Sequence, residues 1–193
     1  MRNYDAHDIK NHFNKYNDFY QFYVVVHSKF HPRGQSQYCI DRHRKRLSDK
    51  LNKTLKLLIS VFHPNFFEMK FKDKKLARML TFTTVEGLSP DDVQPMTTHF
   101  NIAIGNLPAH VTKEIFEKEF LKIWHKQFGE SNDFWIASKN ELVSLRDPNE
   151  DPMRAVNGYA VKDGYKNKSK SWSTDGFLDV ENCWIPHEAL VLK

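Results

Sequence analysis

Apolar side chains recur along this chain with two different spacings, which predict strands and helices. Residues 18–27 are dense in aromatic and β-branched side chains, as is typical of a buried strand. Between residues 37 and 62 the apolar positions fall every three to four residues, and the remaining face of the segment is rich in basic side chains. This segment is therefore predicted to be a long amphipathic helix, which Pro64 ends.

The pattern predicts further elements downstream. Strands are expected at about 76–86, at 98–105, where apolar and polar side chains alternate, and at about 133–145. Thr112 and Gly129 flank an apolar stripe with helical spacing, so they are predicted to cap a second helix. A short third helix is expected to start at Asp151-Pro152 and to stop at Gly164.

The resulting order, β-α-β-β-α-β-α, predicts an α+β fold. An antiparallel sheet with its helices packed on one face, ferredoxin-like or RNA-recognition-like, accommodates this order. The other face of the sheet is expected to be free as a working surface. Residues 1–17 are assigned as an N-terminal extension and residues 18–193 as a single domain.

Composition narrows the class of protein only slightly. The chain has 193 residues, 29 Lys and Arg, and 24 Asp and Glu, giving a formal net charge of +5 that permits a polyanionic partner. Cys39 and Cys183 do not form a disulfide framework or a CxxC metal motif. No signal peptide or membrane-spanning stretch is evident, so a cytoplasmic protein without a membrane partner is expected.

Two metal-capable side chains lie on the predicted strand 98–105. His99 and Asn101 are one residue apart, so both leave the same side of the sheet, and with a carboxylate they suit Mg²⁺ or Mn²⁺. Glu86, at the end of the preceding strand, is the candidate carboxylate. Its alternation groups it with apolar positions, so a bulge or twist is expected to aim it. The alternative is that His99 and Asn101 are ordinary polar residues on a solvated face.

Tyr159 and Lys162 lie three positions apart in the predicted third helix, so they project from the same side. A phenol is a poor nucleophile unless a nearby cation stabilises its phenolate. The pair therefore suggests phosphodiester chemistry by a tyrosine. Alternatively, Tyr159 packs against the sheet and Lys162 is solvated. A second pair, Tyr165 and Lys168, follows Gly164 in a segment predicted to be a loop.

These motifs, in this order, resemble those of the HUH endonuclease superfamily, which includes rolling-circle replication initiators and relaxases. That family carries His-hydrophobe-His on a strand and Tyr-x-x-Lys on a downstream helix; here the strand reads His99-Phe100-Asn101. The resemblance implies an HUH-like endonuclease domain in which Glu86, His99 and Asn101 hold the metal. It also implies that Tyr159 attacks DNA, and that Lys162 assists.

The implied reaction is the nicking and joining of single-stranded DNA at an origin or nick site. It leaves a 5′-phosphotyrosine and a free 3′-hydroxyl, and it initiates rolling-circle replication or DNA transfer of a plasmid, phage or other mobile element. Host replication proteins are further candidate partners.

Basic and aromatic residues leave other functions open. Lys166, Lys168 and Lys170 are candidate contacts to DNA phosphates. The alternative function is a non-catalytic module of the same fold that binds single-stranded nucleic acid, with Tyr159 structural. A third is an interaction domain whose charge only aids solubility.

Overall fold

The computed structural model describes residues 6–70, 73, 77–87, 97–129, 133–142 and 178–185. In this part of the chain short 3-10 turns lie at Asn17–Phe19, Lys139–Glu141 and Val180–Asn182. The helices and strands follow in the order α1 (Ala6–Asn14), β1 (Tyr20–His27), α2 (Gln37–Phe62), β2 (Leu80–Glu86), β3 (His99–Gly105), α3 (Lys113–Phe128) and β4 (Phe134–Ser138).

The four strands form one antiparallel sheet in the order β2-β3-β1-β4. This order, with α2 between β1 and β2 and α3 between β3 and β4, is compatible with a ferredoxin-like fold. The predicted α+β class with an antiparallel sheet is confirmed. Strand β3, which carries His99 and Asn101, is a central strand that pairs with β2 on one side and β1 on the other.

Helices α2 and α3 pack on one face of the sheet. Alternate residues of the strands point into this core, where Phe22 of β1 stacks on Phe116 of α3 with ring centroids 4.4 Å apart. The helix bounds follow the predicted caps: the Thr112 side chain accepts a hydrogen bond from the Ile115 amide, and Gly129 ends α3 with a positive φ.

Two strands are shorter than predicted. Strand β2 begins at Leu80 rather than near residue 76, and β4 ends at Ser138 rather than near residue 145. A capping box explains the end of β4, because Glu141 accepts hydrogen bonds from the Ser138 amide and hydroxyl and so folds the chain into a 3-10 turn. The predicted helix between Asp151 and Gly164 lies outside the described residues.

The second face of the sheet is partly covered, which corrects the expectation of a free working surface. Phe13 of α1 stacks on Phe82 of β2 with ring centroids 3.8 Å apart, and Tyr16 is also buried there. The described part of the segment assigned as an extension, residues 6–17, therefore contributes to a second hydrophobic core. All four strands contribute side chains to that core on this face of the sheet.

Residues 178–185 pack against the outer edge of β2 and against α2. Thr81 and Thr84 form isolated bridges with Trp184 and Leu178. Buried Asp179 accepts hydrogen bonds from Ser48 Oγ and Asn182 Nδ2, both at 2.7 Å. Among the described residues, no helix is both long and apolar enough to cross a membrane.

Candidate metal centre

One row of paired residues crosses three strands at the same end of the sheet. His99, the first residue of β3, lies opposite Glu86 of β2 and opposite His27 of β1. Residues paired directly across antiparallel strands point to the same face, so all three side chains project from the face opposite α2 and α3. Asn101 follows two residues later on the same face.

The structure brings Glu86, His99 and Asn101 into contact. The Asn101 amide Nδ2 donates a hydrogen bond to Glu86 Oε1 at 3.1 Å, and His99 Nε2 lies 3.3 Å from Glu86 Oε2. The three residues are 1%, 5% and 1% exposed, in the order Glu86, His99, Asn101. Their charges and dipoles therefore interact in a medium of low polarity, where such contacts are stronger than in water.

No bulge aims Glu86 at this site, contrary to the sequence-based expectation. The β2–β3 pairing is regular from Leu80 opposite Gly105 to Glu86 opposite His99. The expectation was wrong because Leu80 and Phe82 face the second core and not the core under the helices. Glu86 shares their alternation and so reaches the His99 face directly.

The orientation of His99 is set by the backbone of Thr97. His99 Nδ1 lies 3.1 Å from the Thr97 carbonyl oxygen, which can only accept, so Nδ1 carries a proton. Nε2, which faces Glu86, then has two states. With a proton it forms an ion pair with the carboxylate; without one its lone pair can bind a cation beside that carboxylate.

His27 and Thr97 belong to the same cluster, and motif reasoning missed both. The rings of His27 and His99 stack with centroids 4.6 Å apart, and His27 Nδ1 shares a hydrogen bond of 2.9 Å with Thr97 Oγ1. Burial, and then the proximity of His99, lower the pKa of His27, against a smaller opposing effect of Asp133. His27 ends a buried strand; only its pairing with β3 could have revealed it.

The turn after β2 holds the Thr97 carbonyl in place. Gly87 has a φ of +70°, and a Cβ built there would lie 2.6 Å from the Thr97 oxygen, closer than any real Cβ contact. Thr98 Oγ1 donates to the Gly87 carbonyl at 2.7 Å, and the Thr98 amide donates to the Phe30 carbonyl at 2.9 Å. Only glycine allows this close approach.

The buried amide oxygen of Asn101 is suited to a hard divalent cation. Asn101 Oδ1 is buried and has no hydrogen-bond partner, although its Nδ2 is bonded to Glu86. A buried amide oxygen without a partner is costly, and a cation would satisfy it. The described residues contain no group of three or more His, Cys, Asp or Glu side chains placed to hold a metal ion.

The remaining predicted site residues fall in another part of the chain. Tyr159, Lys162 and Tyr165 lie outside the described residues, as do the candidate DNA contacts Lys166, Lys168 and Lys170. Their assignment stays a prediction from sequence.

Comparisons with known proteins add no family. No protein-family model matches the chain, and searches of curated proteins and of solved structures found no significant similarity. Support for a function therefore comes from the motifs and from the geometry of the Glu86–His99–Asn101 cluster.

Proposed function

We propose that this protein is a metal-dependent endonuclease that nicks and rejoins single-stranded DNA with Tyr159 as its nucleophile. The observation that carries the proposal is the contact of Glu86, His99 and Asn101 on one face of a ferredoxin-like sheet. His99 and Asn101 belong to the strand motif that predicts metal binding, and Glu86 belongs to a separate strand. Glu86 contacts them only because β2 pairs with β3 in a register that the motif does not encode.

The ligand set would consist of the Glu86 carboxylate, His99 Nε2 and the Asn101 amide oxygen, and it suits Mg²⁺ or Mn²⁺. The Thr97 carbonyl supports His99 in the manner typical of metal-bound histidines, whose second ring nitrogen donates to a carbonyl or carboxylate. When bound, the cation supplies Lewis acidity to a phosphate oxygen and offsets its charge.

The covalent step is a transesterification. Tyr159 Oη forms a bond to phosphorus as its proton leaves, and the bond from phosphorus to the 3′-oxygen breaks; that oxygen then takes up a proton. The products are a 5′-phosphotyrosine and a free 3′-hydroxyl. Lys162 offsets charge on the phosphate or the phenolate. Because the phosphotyrosine conserves the ester bond, rejoining needs no nucleotide hydrolysis, which suits the initiation of rolling-circle replication or DNA transfer.

One observation favours a second function, a non-catalytic module that binds single-stranded nucleic acid. Glu86 and Asn101 are only 1% exposed and are hydrogen-bonded to each other. Groups that reach a substrate phosphate are normally more accessible. In this alternative, the cluster stabilises the end of the sheet and Tyr159 has a packing role.

Covalent capture separates the two functions. The protein is incubated with Mn²⁺ and a diverse pool of labelled single-stranded DNA, and the products are resolved on a denaturing gel and mapped by mass spectrometry. The endonuclease proposal predicts an adduct on Tyr159 that is absent from Tyr159→Phe and retained in Tyr165→Phe. An adduct on Tyr165 would move the nucleophile; native-gel binding without any adduct would favour the non-catalytic module.

Metal binding is tested separately through thermal unfolding. At a Mn²⁺ concentration of about 100 times its Kd, a single site adds about 2.7 kcal/mol to the unfolding free energy. For a chain of this size that corresponds to a rise in Tm of about 5–10 °C. Glu86→Gln is expected to abolish the rise, whereas Glu68→Gln, an exposed carboxylate on the loop after α2, should retain it. An unchanged rise in Glu86→Gln would remove the proposed ligand.

A further inference from the structure

A cavity of about 330 Å³ lies at the same end of the sheet as the candidate metal centre, but on the face that α2 and α3 cover. The end of β1, the loop that follows it, α2 and the last turn of α3 surround it. His43, Arg46 and Lys50 line it from α2, where their spacing of three and four residues places them on one face of the helix. Lys29 lines it from the loop, and His27 from the end of β1.

The lining is cationic and contains no carboxylate. Within the described residues, the salt bridges join Glu86, Glu119, Glu141 and Asp18 to other partners, so none involves Lys29, Arg46 or Lys50. The pKa of His43 responds to this field, because burial and then Arg46 and Lys50 lower it. The positive charge of the cavity is therefore not neutralised by the described part of the protein.

Aromatic side chains contact two of the residues that line the cavity. The Lys50 ammonium lies 5.1 Å from the centroid of the Phe128 ring, and Phe30 stacks on His43 with centroids 3.8 Å apart. Together with buried Leu47 they give the cavity apolar walls. Lys50 is half-buried against these walls, where less water screens its charge, whereas Lys29 and Arg46 are exposed.

We infer that this cavity is a binding site for a phosphate group. Arg46 offers a planar guanidinium fork that matches two phosphate oxygens, and Lys29 and Lys50 act as point charges around it. The volume lies at the lower end of the range of about 300–1,000 Å³ that is typical of small-molecule sites. It therefore suits one phosphate with its sugar and not an extended cofactor.

Two sources can supply that phosphate group: a free phosphate compound, such as a nucleoside monophosphate, or the backbone of a single DNA strand. The second source rests on the proposed function, in which single-stranded DNA is the substrate. His27, which lines the cavity and stacks on His99, is common to the cavity and the candidate metal centre. The phosphate site itself does not depend on chemistry by Tyr159. Tyr159→Phe should leave binding intact, which separates failure of this inference from failure of the nicking reaction.

The test compares two adjacent cations on α2. Both are exposed, but Arg46 lines the cavity and Lys45 does not. Arg46→Gln and Lys45→Gln remove the same charge. Binding is measured for inorganic phosphate and thymidine monophosphate by the shift in Tm, and for a short fluorescent oligothymidylate by anisotropy. Losing a charge-assisted contact is expected to weaken binding about tenfold in Arg46→Gln, with a change of less than about twofold in Lys45→Gln.

The outcomes decide both the site and the source. If inorganic phosphate displaces the oligothymidylate, and Arg46→Gln weakens binding of the oligothymidylate, the strand backbone is the source. If phosphate and thymidine monophosphate bind in a way that depends on Arg46, and the oligonucleotide does not compete with them, a free compound is the source. Equal losses in Arg46→Gln and Lys45→Gln, or no binding of any probe to the unmodified protein, would overturn the inference. Lys50→Gln provides a second variant with the same expected loss.

Discussion

Replacement of Gly87 by alanine is the most direct test of how the end of β2 supports His99. A Cβ at residue 87 would lie 2.6 Å from the Thr97 oxygen, 3.0 Å from the Thr97 carbonyl carbon and 3.1 Å from Thr98 Cα. All three atoms belong to the backbone, so no side-chain rotation relieves the contact. The Thr97 carbonyl has to move, and its oxygen is the acceptor of the hydrogen bond from His99 Nδ1.

The expected magnitude has two parts. A non-glycine residue at a φ of +70° costs roughly 1–2 kcal/mol of unfolding free energy. Overpacking against fixed neighbours adds about 1–3 kcal/mol. Gly87→Ala should therefore lower the free energy of unfolding by about 2–5 kcal/mol. Each kcal/mol lost should lower Tm by about 2–4 °C.

Gly34→Ala is the matched control. Gly34 has a φ of +75°, but a Cβ there meets nothing within 4 Å, so this variant carries the backbone cost alone. Chemical denaturation of both variants measures the difference, which is expected to be about 1–3 kcal/mol. Equal losses in the two variants would refute the close packing of Thr97 on Gly87.

The same pair of variants reports on the candidate metal centre. Loss of a group that supports a metal ligand typically weakens metal binding about 10–100-fold. The rise in Tm caused by Mn²⁺ should therefore shrink in Gly87→Ala and persist in Gly34→Ala. A full Mn²⁺ response in Gly87→Ala would show that the Thr97 carbonyl does not orient a ligand.

Two further predictions concern charged groups in the described structure. Asn101→Asp places a second carboxylate where the Asn101 amide now lies 3.1 Å from Glu86 Oε1, so the Tm of the metal-free protein should fall. The rise in Tm caused by Mn²⁺ should exceed that of the unmodified protein. A smaller rise would argue against a cation there. Burial raises the pKa of Asp179, against hydrogen bonds from Asn182 and Ser48 that lower it. A raised folded-state pKa means that the folded protein binds the proton more tightly, so stability falls as pH rises from about 3.8 through that pKa. Relative to Asp179→Asn, the unmodified protein should therefore lose stability as the pH rises above about 3.8, measured by denaturation at each pH; a relative gain would contradict the sign of the shift.

Features encoded within a few residues could be predicted from the sequence by itself. The bounds of α2 follow from an apolar stripe with helical spacing, and α3 begins and ends at the caps Thr112 and Gly129. The shared face of His99 and Asn101 follows from the two-residue period of a strand. Each of these properties depends on neighbours in the chain, so local periodicity and capping chemistry are sufficient to determine it.

Strand pairing and packing decided what local patterns could not. Glu86 reaches His99 because of the register of the β2–β3 pairing, and the register of the β1–β3 pairing brings His27 onto His99. Whether Leu80 and Phe82 face the helices or a second core depends on α1, far away in the sequence. The alternation of side chains along a strand predicts which residues share a face of the sheet, but it does not predict which hydrophobic core that face packs against. Contacts between residues distant along the chain settle that choice, and only the tertiary structure contains them.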